Sequence, residues 1–128
     1  MKHSKEIFIP ASKKKKGSSA YYEFSFCKKD LPIDKLTKNG YEFWSEDSLL
    51  LYIDDDSRFF EHYIKYFENP YSPDGTGRFC YFGVNYYTPE KTAKMRSQIE
   101  KDSPPYSAPL IKWLYEAEKY NGFFFLGI

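Results

Sequence analysis

The sequence predicts an α+β domain, a mainly antiparallel sheet of about five strands with three helices packed on it. Two observations carry that expectation. Short segments that alternate at period two, or are wholly apolar, recur at Tyr21–Phe26, Leu49–Ile53, Arg78–Tyr87 and Phe123–Leu126. Three stretches beside them carry helix start and stop signals with apolar positions at helical spacing. The order that results, ββββαβααβ, is that of a sheet covered by segregated helices. At 128 residues and 15.2 kDa the chain reads as one domain spanning 1–128.

The elements follow in order. Ser12–Ser19 contains Lys13-Lys14-Lys15-Lys16 and then Gly17, and reads as a mobile lysine-rich loop. Tyr21–Phe26 alternates, with Tyr22, Phe24 and Phe26 on one face of a strand. Asp30–Gly40 holds Pro32 and an Asn39-Gly40 turn, which marks it as irregular. Tyr41–Trp44, a Ser45–Ser48 turn and Leu49–Ile53 form the clearest hairpin.

Asp54–Asp56 and Ser57 then supply N-cap chemistry for a helix to about Glu68. Its apolar stripe is Phe59, Phe60, Tyr63, Ile64 and Phe67. Asn69–Gly77, with two prolines and two glycines, is a loop. Arg78–Tyr87 is a strand whose core face is expected to be Cys80, Phe82, Val84 and Tyr86. Thr88-Pro89-Glu90 opens a second, outer helix by the proline-at-first-position rule, and Ser103-Pro104-Pro105 ends it. A third helix from about Ser107 carries Leu110, Ile111, Leu114 and Ala117 and stops at Asn121-Gly122. Phe123–Leu126 is apolar on both faces, as a strand inside a sheet would be.

Composition bounds the function. Tyr, Phe and Trp make up 27 residues. At ~200 Å² each they would bury about 5,400 Å², against roughly 15,000 Å² available to a chain of this size, so volume alone lets nearly all of them sit inside. The 13 tyrosines are the exception, because each buried hydroxyl needs a hydrogen-bond partner. The net charge of +1 hides a split: residues 1–40 sum to +6, residues 41–77 to −7 and residues 78–128 to +2. Such a split speaks to partners rather than to fold. Cys27 and Cys80 have no CxxC spacing and read as a reduced cytosolic pair. No apolar run is long enough to span a bilayer, and no secretory signal is visible before Pro10. A soluble cytoplasmic protein is expected.

Candidate chemistry is sparse. His62 has cationic helical neighbours, Arg58 and Lys65, and reads as a surface histidine rather than a general base. Glu46 and Asp47 lie at one end of the hairpin and Asp54, Asp55 and Asp56 at the other, about 16 Å apart at the usual strand rise, so they cannot share a metal ion. Asp54–Asp56 lack the spaced ligands and glycine of a calcium loop and fit helix capping better. Asp74–Arg78 precedes a strand, whereas phosphate loops open a helix. Neither cysteine has a histidine nearby in sequence. No enzyme activity, cofactor or metal is expected. An enzyme whose carboxylates or His62 assemble only in the fold is the weakest reading.

Two binding readings remain. Lys13–Lys16 with Tyr21 and Tyr22 could contact nucleic acid, but residues from 41 onward sum to −5, and a nucleic-acid-binding domain normally shows a whole basic face. On Phe79–Tyr87 the expected non-core face reads Phe79, Tyr81, Gly83, Asn85, Tyr87. That face is either a shallow receptive groove or a second core face covered by a helix.

The ending Leu110-Ile111-Lys112-Trp113-Leu114-Tyr115-Glu116-Ala117-Glu118-Lys119-Tyr120-Asn121-Gly122-Phe123-Phe124-Phe125-Leu126-Gly127-Ile128 combines a helix, an Asn-Gly stop and an apolar strand. With the aromatic-rich α+β body and acidic middle, it resembles bacterial toxin-immunity proteins of contact-dependent growth inhibition and related polymorphic toxin systems. The resemblance implies a cytoplasmic inhibitor that occludes a cognate toxin, in many cases a nuclease with a basic cleft. Glu46, Asp47, Asp54, Asp55 and Asp56 would then meet that cleft, and Tyr81 and Tyr87 would supply contact area.

Overall fold

The computed structural model describes residues 7–13, 21–28, 47–52, 56–68, 70, 79 and 84–126, the side chains at 13, 52 and 56 excepted. Five strands form one sheet: β1 (Phe8–Pro10), β2 (Tyr21–Phe26), β3 (Leu49–Tyr52), β4 (Val84–Tyr87) and β5 (Phe123–Leu126). Their order is β1-β3-β2-β5-β4, and every pairing is antiparallel. Three helices accompany the sheet: α1 (Asp56–Tyr63), continued by a 3-10 turn Ile64–Tyr66, α2 (Pro89–Asp102) and α3 (Ser107–Lys119). The α+β architecture is the expected one. The expected strand Tyr41–Trp44 and the lysines at 14–16 lie outside the described residues.

Register explains the core. Phe24 pairs with Leu49 on one side and Phe125 on the other, and Tyr22 with Leu51, which in turn faces Phe8. With side chains alternating across a strand, these residues share the face under the helices. Phe59, Tyr63 and Phe67 from α1 and its 3-10 extension complete that core. Phe24 sits among Phe8, Phe59, Phe67 and Trp113, with its ring centroid 4.8 Å from that of Phe125 in an edge-to-face contact. Such contacts add to what burial alone contributes. Pro10 is tolerated because β1 is an edge strand with a single neighbour.

The opposite face of the sheet is buried too, but differently. Cys27, Tyr86 and Phe124 form a small cluster with Val84 and Leu126 against it. Glu23 and Ser25 are also buried, and the Ser48 hydroxyl donates to the Glu23 carboxylate at 2.8 Å.

One expectation is reversed here. Tyr87 belongs to the helix-side core and Tyr86 and Val84 to the other face, whereas the sequence had suggested Tyr86 and Val84 inward and Tyr87 outward. The physical reason is that both faces of β4 are buried, so polarity carries no information about which face looks toward the helices.

The helix signals are read correctly. Thr88 caps α2, its hydroxyl oxygen accepting the Lys91 N–H at 3.2 Å, and Pro89 is the first helical residue. As expected for an outer helix, α2 buries little, namely Thr92, Met95 and Ile99. On α3, Leu110, Trp113, Leu114 and Ala117 are buried at i, i+3, i+4 and i+7. Gly122 ends the turn after α3 with φ +84°, and a Cβ there would stand 2.0 Å from the Tyr87 carbonyl oxygen. No other residue type fits that close approach of β5 to β4.

The contacts of α2 with α3 run in opposite directions, Arg96 to Glu118 and Glu100 to Tyr115, so the two helices are antiparallel. Among the described residues, no helix is long and apolar enough to cross a membrane.

Candidate functional site

The described residues hold no group of His, Cys, Asp and Glu side chains that could hold a metal. His62 lies on α1 with its Nε2 3.7 Å from the exposed carboxylate of Glu61. Among the described residues, a groove of about 600 Å³ opens where the start and middle of α3 meet the ends of β1, β2 and β3. Its walls include Pro10, Phe26, Leu49, Pro109 and Trp113, with Asp47, Lys112, Glu116 and Tyr120 at polar positions.

Sequence positions these groups by ordinary means. Phe26 is the last residue of β2 on the helix face, and Trp113 is the buried i+3 position of α3. Their rings stack at 4.2 Å, 9° from parallel. Tyr120, just past the end of α3, brings its ring to 4.9 Å from Phe26. The indole N–H of Trp113 donates to the Asp47 carbonyl at 2.8 Å, tying the segment before β3 to the helix. That bond satisfies a donor whose burial would otherwise be costly.

The rim is charged and internally paired. The Lys28 ammonium donates to the Asp47 carboxylate at 2.6 Å and stands 5.7 Å from the centre of the Tyr120 ring. The bond to Asp47 raises the Lys28 pKa above its ordinary value, burial opposing it and the charges of Asp47 and Tyr120 adding to it. On α3, Lys119 pairs with Glu116 at 3.0 Å. Both pairs are solvent-exposed and stabilise little. The floor is thus apolar and ring-lined, and the rim carries exposed ion pairs.

Of the described residues expected to meet a toxin, Asp47 is at this groove and Tyr87 is not. Tyr87 is fully buried, and its hydroxyl donates to the Phe67 carbonyl at 2.6 Å, so it offers no contact area to a partner. Burial raises its pKa well above the ordinary phenol value. Asp56 is the first residue of α1, and the capping expected of the acidic run falls on side chains outside the described residues. Glu46, Asp54, Asp55 and Tyr81 lie outside the described residues.

Sequence reasoning missed Phe26, Trp113 and Tyr120 as a group. The helical spacing of Trp113 from Leu110, Leu114 and Ala117 was the available signal for its burial, but its meeting with Phe26 is a tertiary event. Among the described residues, Tyr115 and Tyr120 are the large hydrophobics that remain exposed. Tyr115 is occupied differently, with the Arg96 guanidinium 4.1 Å from its ring centre and its hydroxyl 3.2 Å from Glu100. Arg96 also bonds Glu118 at 2.7 Å, and its pKa is raised first by that bond and then by the one to Glu100. Tyr120 is thus the exposed ring that borders a cavity. No family model matches this chain, and neither does any curated protein or solved structure.

Proposed function

We propose that this chain is a non-enzymatic binding protein of the immunity type, which neutralises a cognate bacterial toxin domain in the cytoplasm by covering its active site. The observation that carries the reading is the Phe26–Trp113–Tyr120 groove, an aromatic floor open to solvent beside Asp47 and Glu116. Tyr and Trp in partly open pockets are the usual anchors of protein interfaces, since they supply large contact area at low entropic cost. The acidic middle of the chain, −7 over residues 41–77, suits a basic partner such as a nuclease cleft and would speed the encounter. Asp47 joins that contact only by exchanging Lys28 for a cation of the toxin.

The test uses the C-terminal domain of a secreted protein encoded next to this chain. Co-expression is expected to yield a complex and protection from the toxin. Replacing Tyr120 by Ala is expected to weaken the complex about tenfold or more. Absence of both complex and protection would sink the immunity reading. A complex indifferent to Tyr120→Ala would move the interface away from the groove.

A further inference from the structure

A second cleft, of about 540 Å³, lies between α2 and the 3-10 turn after α1 and shares no lining residue with the groove. Lys65 and Tyr66, from the 3-10 turn after α1, form one wall, and Thr88, Glu90, Lys91, Lys94, Met95 and Gln98 the rest. Lys65, Lys91 and Lys94 therefore line one concavity together with Glu90. Asp102 stands beside it and is occupied, accepting from Tyr66 at 2.7 Å and Gln98 at 3.0 Å, with Lys65 farther off at 4.0 Å. Lys91 has its pKa lowered, first by loss of water and then by the like charge of Lys94. An anion placed in the cleft would offset the like-charge repulsion.

We propose that this cleft binds an organic phosphate of nucleotide size, with its phosphates against Lys91 and Lys94 and its organic part toward Tyr66. Three arguments select that class. The cationic groups are all lysines, point charges of the kind that bind a polyvalent phosphate. The volume is that of a small-molecule site and exceeds what a bare inorganic phosphate fills. The half-buried Tyr66 ring adds an apolar surface that inorganic phosphate could not use.

The experiment titrates the whole chain at low ionic strength with ADP, with inorganic pyrophosphate and with a single-stranded oligonucleotide, by calorimetry and by amide shifts. ADP is expected to bind with shifts at Tyr66 and Lys91–Met95, several-fold more tightly than pyrophosphate, and to weaken as salt is added. The double variant Lys91→Gln, Lys94→Gln is expected to keep its melting temperature and lose about tenfold or more in ADP affinity. Lys112→Gln, on the other groove, is expected to leave ADP binding unchanged.

No ADP binding at about 1 mM, a free energy of only about −4 kcal/mol, would overturn the proposal. So would binding that is unchanged in the double variant. Pyrophosphate binding as tight as ADP would reduce the site to one for inorganic phosphates. Oligonucleotide binding that depends on these lysines, without ADP binding, would make it a nucleic-acid contact instead. Each of these outcomes leaves the toxin-binding reading untouched, since that one is tested at Tyr120.

Discussion

The tyrosines of the sheet and those of the helical rim do opposite things with the same side chain. Under and within the sheet, Tyr63, Tyr86 and Tyr87 donate their hydroxyls to backbone carbonyls, of Pro105, Asn121 and Phe67. On the rim, Tyr66 and Tyr115 bond carboxylates, of Asp102 and Glu100. A buried phenol needs one acceptor that never leaves, and a backbone carbonyl provides it. A phenol at the surface can bond a side chain that is free to exchange with water or with a ligand. The inner set therefore builds the domain, and the rim is where partners can act.

The contrast predicts unequal costs. Phe125 is fully buried and touches Tyr22, Phe24, Phe59, Phe67 and Phe79. Phe125→Ala is expected to cost about 3–5 kcal/mol, measured by urea unfolding, because so many rings surround the void that collapse is hindered. A loss below about 1 kcal/mol would mean that the ring cluster is loosely packed. Tyr87→Phe keeps the ring and its stacking on Phe123 but leaves the buried Phe67 carbonyl without that donor. It is expected to cost about 1–2 kcal/mol, and a neutral result would show water or another donor taking over.

How much of this was legible in the sequence depended on whether the signal was local. Alternation over Tyr21–Phe26, the Thr88-Pro89 helix start and the Asn121-Gly122 stop each act within a few residues, and each appears where expected. The orientation of β4 was not legible, since buried side chains on both faces erase the polarity that tells them apart. The groove was illegible for another reason. Phe26, Asp47, Trp113 and Tyr120 come from segments far apart in sequence, and the charge of Asp47 is answered by Lys28, 19 positions away. The charge sum of a segment cannot reveal that its acid is already paired.

At the rim, a change should be felt by a partner more than by the fold. Tyr120 is exposed and its contact with Phe26 is one-sided. Tyr120→Ala is expected to shift unfolding by no more than about 0.5 kcal/mol, against the larger cost at Tyr87. A loss as large as that of Tyr87→Phe would place Tyr120 with the inner set and erase the distinction.

Tyr66 tests the boundary between the sets with the smallest effect. Burial first, and the bond to Asp102 second, push its pKa up to about 12 from an ordinary 10.0. In the unfolded chain the phenol loses its proton near 10, while in the folded chain it holds the proton longer. Above pH 10 the unfolded state is therefore favoured, and the stabilisation, fully present below pH 10, is lost as pH rises to about 12. Tyr66→Phe is expected to flatten that part of the stability profile, read as the difference between wild type and variant so that other alkaline groups such as Lys28 cancel. Tyrosinate absorbance should lose its latest-titrating accessible step in the same variant. Identical profiles for the two proteins would show that neither burial nor the Asp102 bond holds the phenol in solution, and Tyr66 would then be a freely exchanging ring of the lysine cleft.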